Sequence, residues 1–143
     1  MDAMMSYFRR DALAAHLGME LLEVSPGRAA AKMLIRDFHL NSYGMVHGAA
    51  IFALADYVFQ AASNSHGTLA VAMHVDITYV RPGGQGALAA EAAEVNLGRT
   101  TGIYSVTVRT EEGKTVAIFQ GMVYRKGTPL PIEDKCPHPP GPH

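Results

Sequence analysis

Residues 46–62 read Val46-His-Gly-Ala-Ala-Ile-Phe-Ala-Leu-Ala-Asp-Tyr-Val-Phe-Gln-Ala-Ala62, an apolar run of helix length whose one formal charge is Asp56. Asp56 is also the only charged side chain between Asp37 and Asp76. A run with no clean polar face predicts a helix wrapped on most sides by the rest of the fold. It contains His47, Asp56 and Gln60 and lacks basic anchors, so it predicts a buried helix of a soluble domain rather than a membrane span. A carboxylate placed there needs a reason. Taking it out of water costs several kcal/mol unless it is paired, hydrogen-bonded or neutralised. The same loss of hydration raises its pKa, which suits a general base or a nucleophile.

Outward from this helix the punctuation is regular. Residues 3–17 carry Met4, Met5, Phe8, Leu13 and Leu17 at helical spacing, with Gly18 as a stop, and predict one short N-terminal helix. Strand-like runs at 19–25 and 28–35 are split by Pro26-Gly27, a hairpin signal. A loop over 36–45 leads into the long helix, and Ser63-Asn64-Ser65-His66-Gly67 ends it, with Gly67 expected as the left-handed cap. Four strands are expected at 68–80, 85–97, 100–110 and 115–124, the last two joined through Glu111-Glu112-Gly113-Lys114. The expected fold class is therefore α+β, a curved antiparallel sheet wrapped around one long central helix. Residues 1–126 are expected to form a single domain and 127–143 a proline-rich mobile tail.

Composition narrows the function. With 12 basic and 13 acidic residues interspersed, no basic stripe points to nucleic acid or to an anionic membrane. The lone Cys136 excludes an internal disulfide framework, and the N-terminus does not read as a signal peptide, so a cytoplasmic location is expected. Cys136, His138 and His143 offer three metal ligands on a tail with no supporting shell, so no metal site is expected. Neither a Gly-rich phosphate loop after a strand nor a Gly-x-Ser-x-Gly elbow is present.

The chemistry gathers around the start of the long helix. The free N–H groups of its first turn, including that of Gly48, point from its positive end and can hold a developing oxyanion. Asp56 lies eight residues further on, about 12 Å along the axis, too far to reach the same carbonyl within one chain.

The pattern Asn41-x2-Gly44-x2-His47-Gly48-x7-Asp56, followed by Val75-Asp-Ile-Thr-Tyr-Val-Arg-Pro82, resembles the hotdog-fold thioesterases, in particular the phenylacetate-degradation (PaaI-like) branch. The resemblance covers roughly residues 12–126. It implies hydrolysis of an acyl-CoA, aryl-acetyl or short to medium, to free acid and coenzyme A. Asp56 would be general base or nucleophile, the Gly48 N–H the oxyanion donor, and Asn41 and His47 would orient substrate or water. It also implies a site shared between two subunits, hence a homodimer, assembling as a dimer of dimers. Coenzyme A enters as part of the substrate and no separate cofactor is expected. Arg81 and Arg99 are candidates for its phosphates, against a reading as ordinary surface charge.

The chain departs from the family pattern twice. Ala49 stands where many members have a second Gly, although its N–H remains. His74 stands where a small polar residue often assists the attacking water; it either substitutes for that group or is merely a strand histidine. The acyl pocket draws on Phe38, Tyr43, Phe52, Tyr57 or Phe59, which the sequence does not sort. Each site residue has a plainer reading: Asp56 in a cap or ion pair, His47 as a helix-start residue, Asn41 as a loop former. A non-catalytic hotdog module that binds acyl-CoA is the alternative function.

Overall fold

The computed structural model describes residues 2–132; Cys136, His138 and His143 lie outside them. The N-terminal segment forms two helices rather than the one expected, α1 (Asp2–Phe8) and α2 (Ala12–Leu17). Asp11 makes the break. Its backbone is extended and its carboxylate accepts the Ala14 N–H at 3.0 Å, which starts a new helix. Gly18, at φ 79°, ends α2 as expected.

Strands β1 (Met19–Ser25) and β2 (Arg28–Leu34) form the hairpin at Pro26-Gly27. The helix α3 (Gly48–Ser63) then crosses to β3 (Thr68–Tyr79), and β4 (Ala87–Leu97), β5 (Thr101–Thr110) and β6 (Thr115–Pro129) complete the sheet. The order is β1-β2-β4-β5-β6-β3, antiparallel throughout. The crossover through α3 thus carries β3 to the far edge, and β3 is left with one unpaired side. Among the described residues no helix is long and apolar enough to cross a membrane.

α3 ends one turn earlier than Gly67. Asn64 is its cap, and Gly67, at φ 84°, closes the turn that follows. The buried Asn64 holds the helix end to β3: its Nδ2 donates to the carbonyls of Gln60 and Ala70, and its Oδ1 accepts the Ala70 N–H at 2.8 Å. β6 also runs beyond the expected boundary at 126. Thr68 pairs with Pro129 but Ala70 with Arg125, so β6 carries extra residues there. Beyond this bulge the pairing resumes, and the Leu130 N–H bonds the Gly67 carbonyl at 2.8 Å with its side chain buried. Residues 127–132 therefore pack with the sheet and are not part of a free tail; the residues beyond them lie outside the described region.

Inside the curl, Leu54, Val58, Phe59 and Ala62 of α3 meet Met33, Leu88, Ala90, Tyr104, Val106 and Phe119 of the sheet. Contact at Phe59 is close because Gly121 on β6 leaves room for the ring: a Cβ there would sit 2.5 Å from Cζ. Gly121→Ala is expected to cost about 2–3 kcal/mol through overpacking, read as a lower midpoint in a urea titration. One stripe of α3 is only partly covered by the sheet, where Phe52 reaches Phe119. Ala49, Phe52, Ala53, Asp56 and Gln60 recur at helical spacing and are exposed or half-buried, so the charge lies on the face the sheet leaves open.

Candidate active site

The first turn of α3 is prepared by the loop before it. Leu40 and Val46 bridge, the Asn41 N–H bonds the Met45 carbonyl at 2.7 Å, and Asn41 Oδ1 accepts the N–H groups of Tyr43 and Met45. The plainer reading of Asn41 therefore holds for its oxygen, which organises the loop, while Nδ2 remains as a donor. Beneath the loop His39 is fully buried. Its Nδ1 accepts the Arg36 N–H, its Nε2 donates to the Leu17 carbonyl, and its own carbonyl accepts the His47 N–H at 2.7 Å. Nothing in the sequence marks His39 as this anchor, because Leu17 is distant along the chain.

His47 is the N-cap of α3, and its Nδ1 accepts the Ala49 N–H at 2.9 Å. Two consequences follow. The imidazole, accepting at Nδ1, carries its proton on Nε2 and presents that N–H outward. The Ala49 N–H is already engaged, and the expected oxyanion donor, the Gly48 N–H, is left with no acceptor inside the helix. The Gly48 carbonyl is fixed by the Tyr79 hydroxyl at 3.0 Å, which ties the helix start to the end of β3.

Asp56 opens on a cleft of about 290 Å³ that runs along α3 past Phe59 and Gln60 to Ser63 and Asn64. Tyr7 and Phe8 of α1, Leu69–Ala72 of β3, Val123 and Leu130 line the rest. Burial pushes the Asp56 carboxyl above the ordinary carboxylate range, the nearby Asp11 raises it further, and no hydrogen bond to the charged form offsets them. The sequence did not connect Asp11 with Asp56, since one caps α2 and the other lies mid-helix. Asp11→Asn is expected to move the acid limb of the pH–rate profile to lower pH: with less repulsion, Asp56 ionises sooner and the active form persists further into acid. A kcat/KM profile checks this, and an unmoved limb would detach Asp11 from the site.

Within one chain the other expected residues are not all brought to Asp56. Gly48 and Asp56 are separated by two turns of the same helix, about 12 Å. His74 takes no part in that cleft: along β3 it shares the outer face with Asp76, 3.9 Å away and equally exposed, while Val75 and Ile77 face the core. Arg81 follows β3 at the end where Gly83 packs on Val46; Arg99 lies in the β4–β5 turn beside Arg125, which pairs with Ala70. Those ends are about 30 Å apart along the strand, so one chain cannot place both arginines on one phosphate group. Of the aromatic candidates only Phe59 lines the cleft; Phe52 packs on Phe119, Tyr57 donates to the Phe8 carbonyl, and Phe38 and Tyr43 are exposed in the loop.

Comparison with known proteins is consistent with this geometry. A family model described as the thioesterase superfamily matches residues 43–117. The chain is 42% identical over 125 residues to a putative esterase of Archaeoglobus fulgidus, covering 87% of this chain and 81% of that protein. It is 36% identical over 121 residues to the acyl-coenzyme A thioesterase PaaI of Escherichia coli, covering 84% and 86%. The solved structure of the E. coli PaaI protein from the phenylacetic acid degradation operon superposes with a TM-score of 0.83 at 35% identity, over 87% of this chain and 91% of that one. A hypothetical thioesterase from Streptococcus pneumoniae, solved with coenzyme A, superposes with a TM-score of 0.81 at 26% identity, over 88% and 99%.

Proposed function

Because this chain belongs to the thioesterase superfamily and has the hotdog fold, we propose that it hydrolyses an acyl-coenzyme A, aryl-acetyl or short to medium, to the free acid and coenzyme A. The observation that carries this reading is Asp56, a carboxylate with a raised pKa and, among the described residues, no hydrogen-bonded partner, lining a cleft whose other side chains are mainly apolar. Asp56 takes a proton from water as it attacks the thioester carbonyl, or attacks that carbon itself. The carbonyl oxygen gathers charge against the Gly48 N–H and the positive end of α3. Collapse of the intermediate breaks the C–S bond, and the thiolate leaves, taking up a proton to become coenzyme A; where Asp56 itself attacked, water then opens the acyl–Asp56 anhydride, which frees the acid and restores the carboxylate. His47 Nε2–H and Asn41 Nδ2 donate from the same corner and hold the carbonyl or the water.

One chain cannot do this alone, so the site is shared. The open edge of β3 presents Val71, Met73, Tyr79 and Val80, all exposed, beside the partly covered stripe of α3. Unpaired apolar edges seek a partner. Antiparallel pairing of two β3 strands about a two-fold axis sets the two α3 helices antiparallel, and the His47-Gly48 corner of one approaches the partner's Asp56. It also brings Arg81 of one chain to the end that carries the partner's Arg99. Residues at the mouth of the site then come from both chains, and the minimal active unit is a homodimer; light scattering reads two chains, or four where dimers pair.

Mixing tests the shared site. Chains carrying Asp56→Asn and chains carrying Gly48→Pro, each inactive alone, are co-refolded and assayed for free thiol over a panel of aliphatic and aromatic acyl-CoAs. Half the random dimers are mixed and each holds one intact site, so activity on the order of a quarter of the parent returns. No recovery would place both groups of a site on one chain. Tight binding by the parent without thiol release would favour the non-catalytic module.

A further inference from the structure

The cleft that begins at Asp56 has a built end. Its long wall is α3 from Asp56 to Asn64, about 12 Å of helix. Tyr7 and Phe8 roof its middle, held there by the buried Phe8 ring and by the Tyr57 hydroxyl on the Phe8 carbonyl at 2.9 Å. At the end away from Asp56 it is lined by Asn64, Ala70 and Leu130. Asn64 and Ala70 are bound to each other through both amide atoms of the Asn64 side chain and cannot move aside separately. Leu130 differs from them. It comes from beyond the β6 bulge, its N–H bonds the Gly67 carbonyl, and its aliphatic side chain, 7% exposed, fills space at the end of the cleft.

We propose that Leu130 is the specificity-determining stop of the acyl cleft, setting the longest acyl group that fits between Asp56 and the Asn64–Ala70 wall. The assignment rests on the hydrolase reading of Asp56, because only then does the acyl group enter from that mouth. The local chemistry fits the role. Beyond Asp56 the cleft carries no charged side chain: Phe59, Leu69, Val123 and Leu130 supply apolar contact beside the neutral Gln60, Ser63 and Asn64, so the length and shape of an uncharged tail are what it can measure. The stop sits on a segment joined to the sheet by a bulge, so its size can change without disturbing the ladder.

The test is the ratio of kcat/KM for a longer acyl-CoA to that for a shorter one, measured in the same protein sample so that any inactive fraction cancels. Leu130→Ala is expected to raise the ratio about tenfold for each methylene newly admitted, and Leu130→Phe to lower it for the longest chain the parent accepts. A matching trend is expected in binding of the same acyl-CoAs to Asp56→Asn protein carrying each Leu130 variant, a readout that needs no turnover. Opposite shifts from smaller and larger side chains cannot come from loss of folding. Unchanged ratios and affinities in both variants, in a protein that does hydrolyse acyl-CoA, would overturn the assignment of Leu130 and leave the hydrolase reading intact. Absence of hydrolysis in the parent would overturn both.

Discussion

Replacing Asp56 with Asn is expected to lower kcat/KM for acyl-CoA hydrolysis by about 10²–10⁴-fold and at the same time to raise the thermal midpoint at neutral pH. The first effect follows from removing the carboxylate that lines the cleft and would take a proton or attack the carbonyl. The second follows from linkage. Burial, and then Asp11, raise the Asp56 pKa in the folded chain above its unfolded value. Between those two values the folded chain holds the extra proton, so stability falls as pH rises through that window and the loss persists above it. Asn removes the ionisation and with it the loss. Below the ordinary carboxylate range parent and variant should converge, because Asp56 is then protonated in both states. The checks are an acyl-CoA assay with thiol detection and a pair of melting curves at neutral and acid pH. Near-parental turnover would remove Asp56 from the reaction; a lower midpoint at neutral pH would mean the carboxylate is stabilising, as in a cap or ion pair. The opposed signs are those of a site whose chemistry is bought with stability.

Gly48→Pro is the sharpest probe of the oxyanion donor, and we expect it to lower kcat by about 10²–10³-fold with little change in helix content. Proline is favoured at the first helical position, where its missing N–H has no intrahelical acceptor. The residue before it must be extended, and His47 already is, at φ −63° and ψ 135°. The added carbons meet the Tyr79 ring, since even a Cβ at residue 48 lies 3.3 Å from its Cζ and hydroxyl, so the ring gives by a few tenths of an ångström. Gly48→Ala is therefore the control: it brings the same Cβ but keeps the N–H. A large loss in the proline variant with a small one in the alanine variant assigns the effect to the donor, whereas equal losses would assign it to Tyr79 packing. Circular dichroism confirms that α3 is retained in both.

Much of this architecture is carried by short-range signals. The hairpin at Pro26-Gly27 and the stop at Gly18 depend on residues that need an unusual backbone or cannot continue a regular one, and the structure has both. The length of α3 follows from an unbroken apolar run between a loop and Asn64. The split of the first helix was also within reach, because Asp11 is a capping residue three before the N–H it accepts, but the apolar spacing across it masked the break. Other features had no local signal. The Asn64 clamp on Ala70 depends on where β3 lies, and the return of Leu130 depends on a bulge whose partner strand is some sixty residues away in sequence. The surroundings of His74 had no local signal for a related reason: the strand's two-residue alternation puts it on the exposed outer face beside Asp76, outside its own chain's cleft.

By itself the amino-acid sequence determined that an apolar helix with a single acid at Asp56 would follow a loop over 36–45 and sit against an antiparallel sheet. Periodicity, turn residues and the cost of burying charge act over a few neighbours or on one residue at a time. Only the tertiary structure decided what surrounds that acid: a cleft that Leu130 helps to line, a repelling Asp11, an Ala49 N–H already taken by His47, and an open β3 edge. Solvation, electrostatic potential and cavity shape are sums over everything nearby in space, and those neighbours exist only once distant segments have packed together.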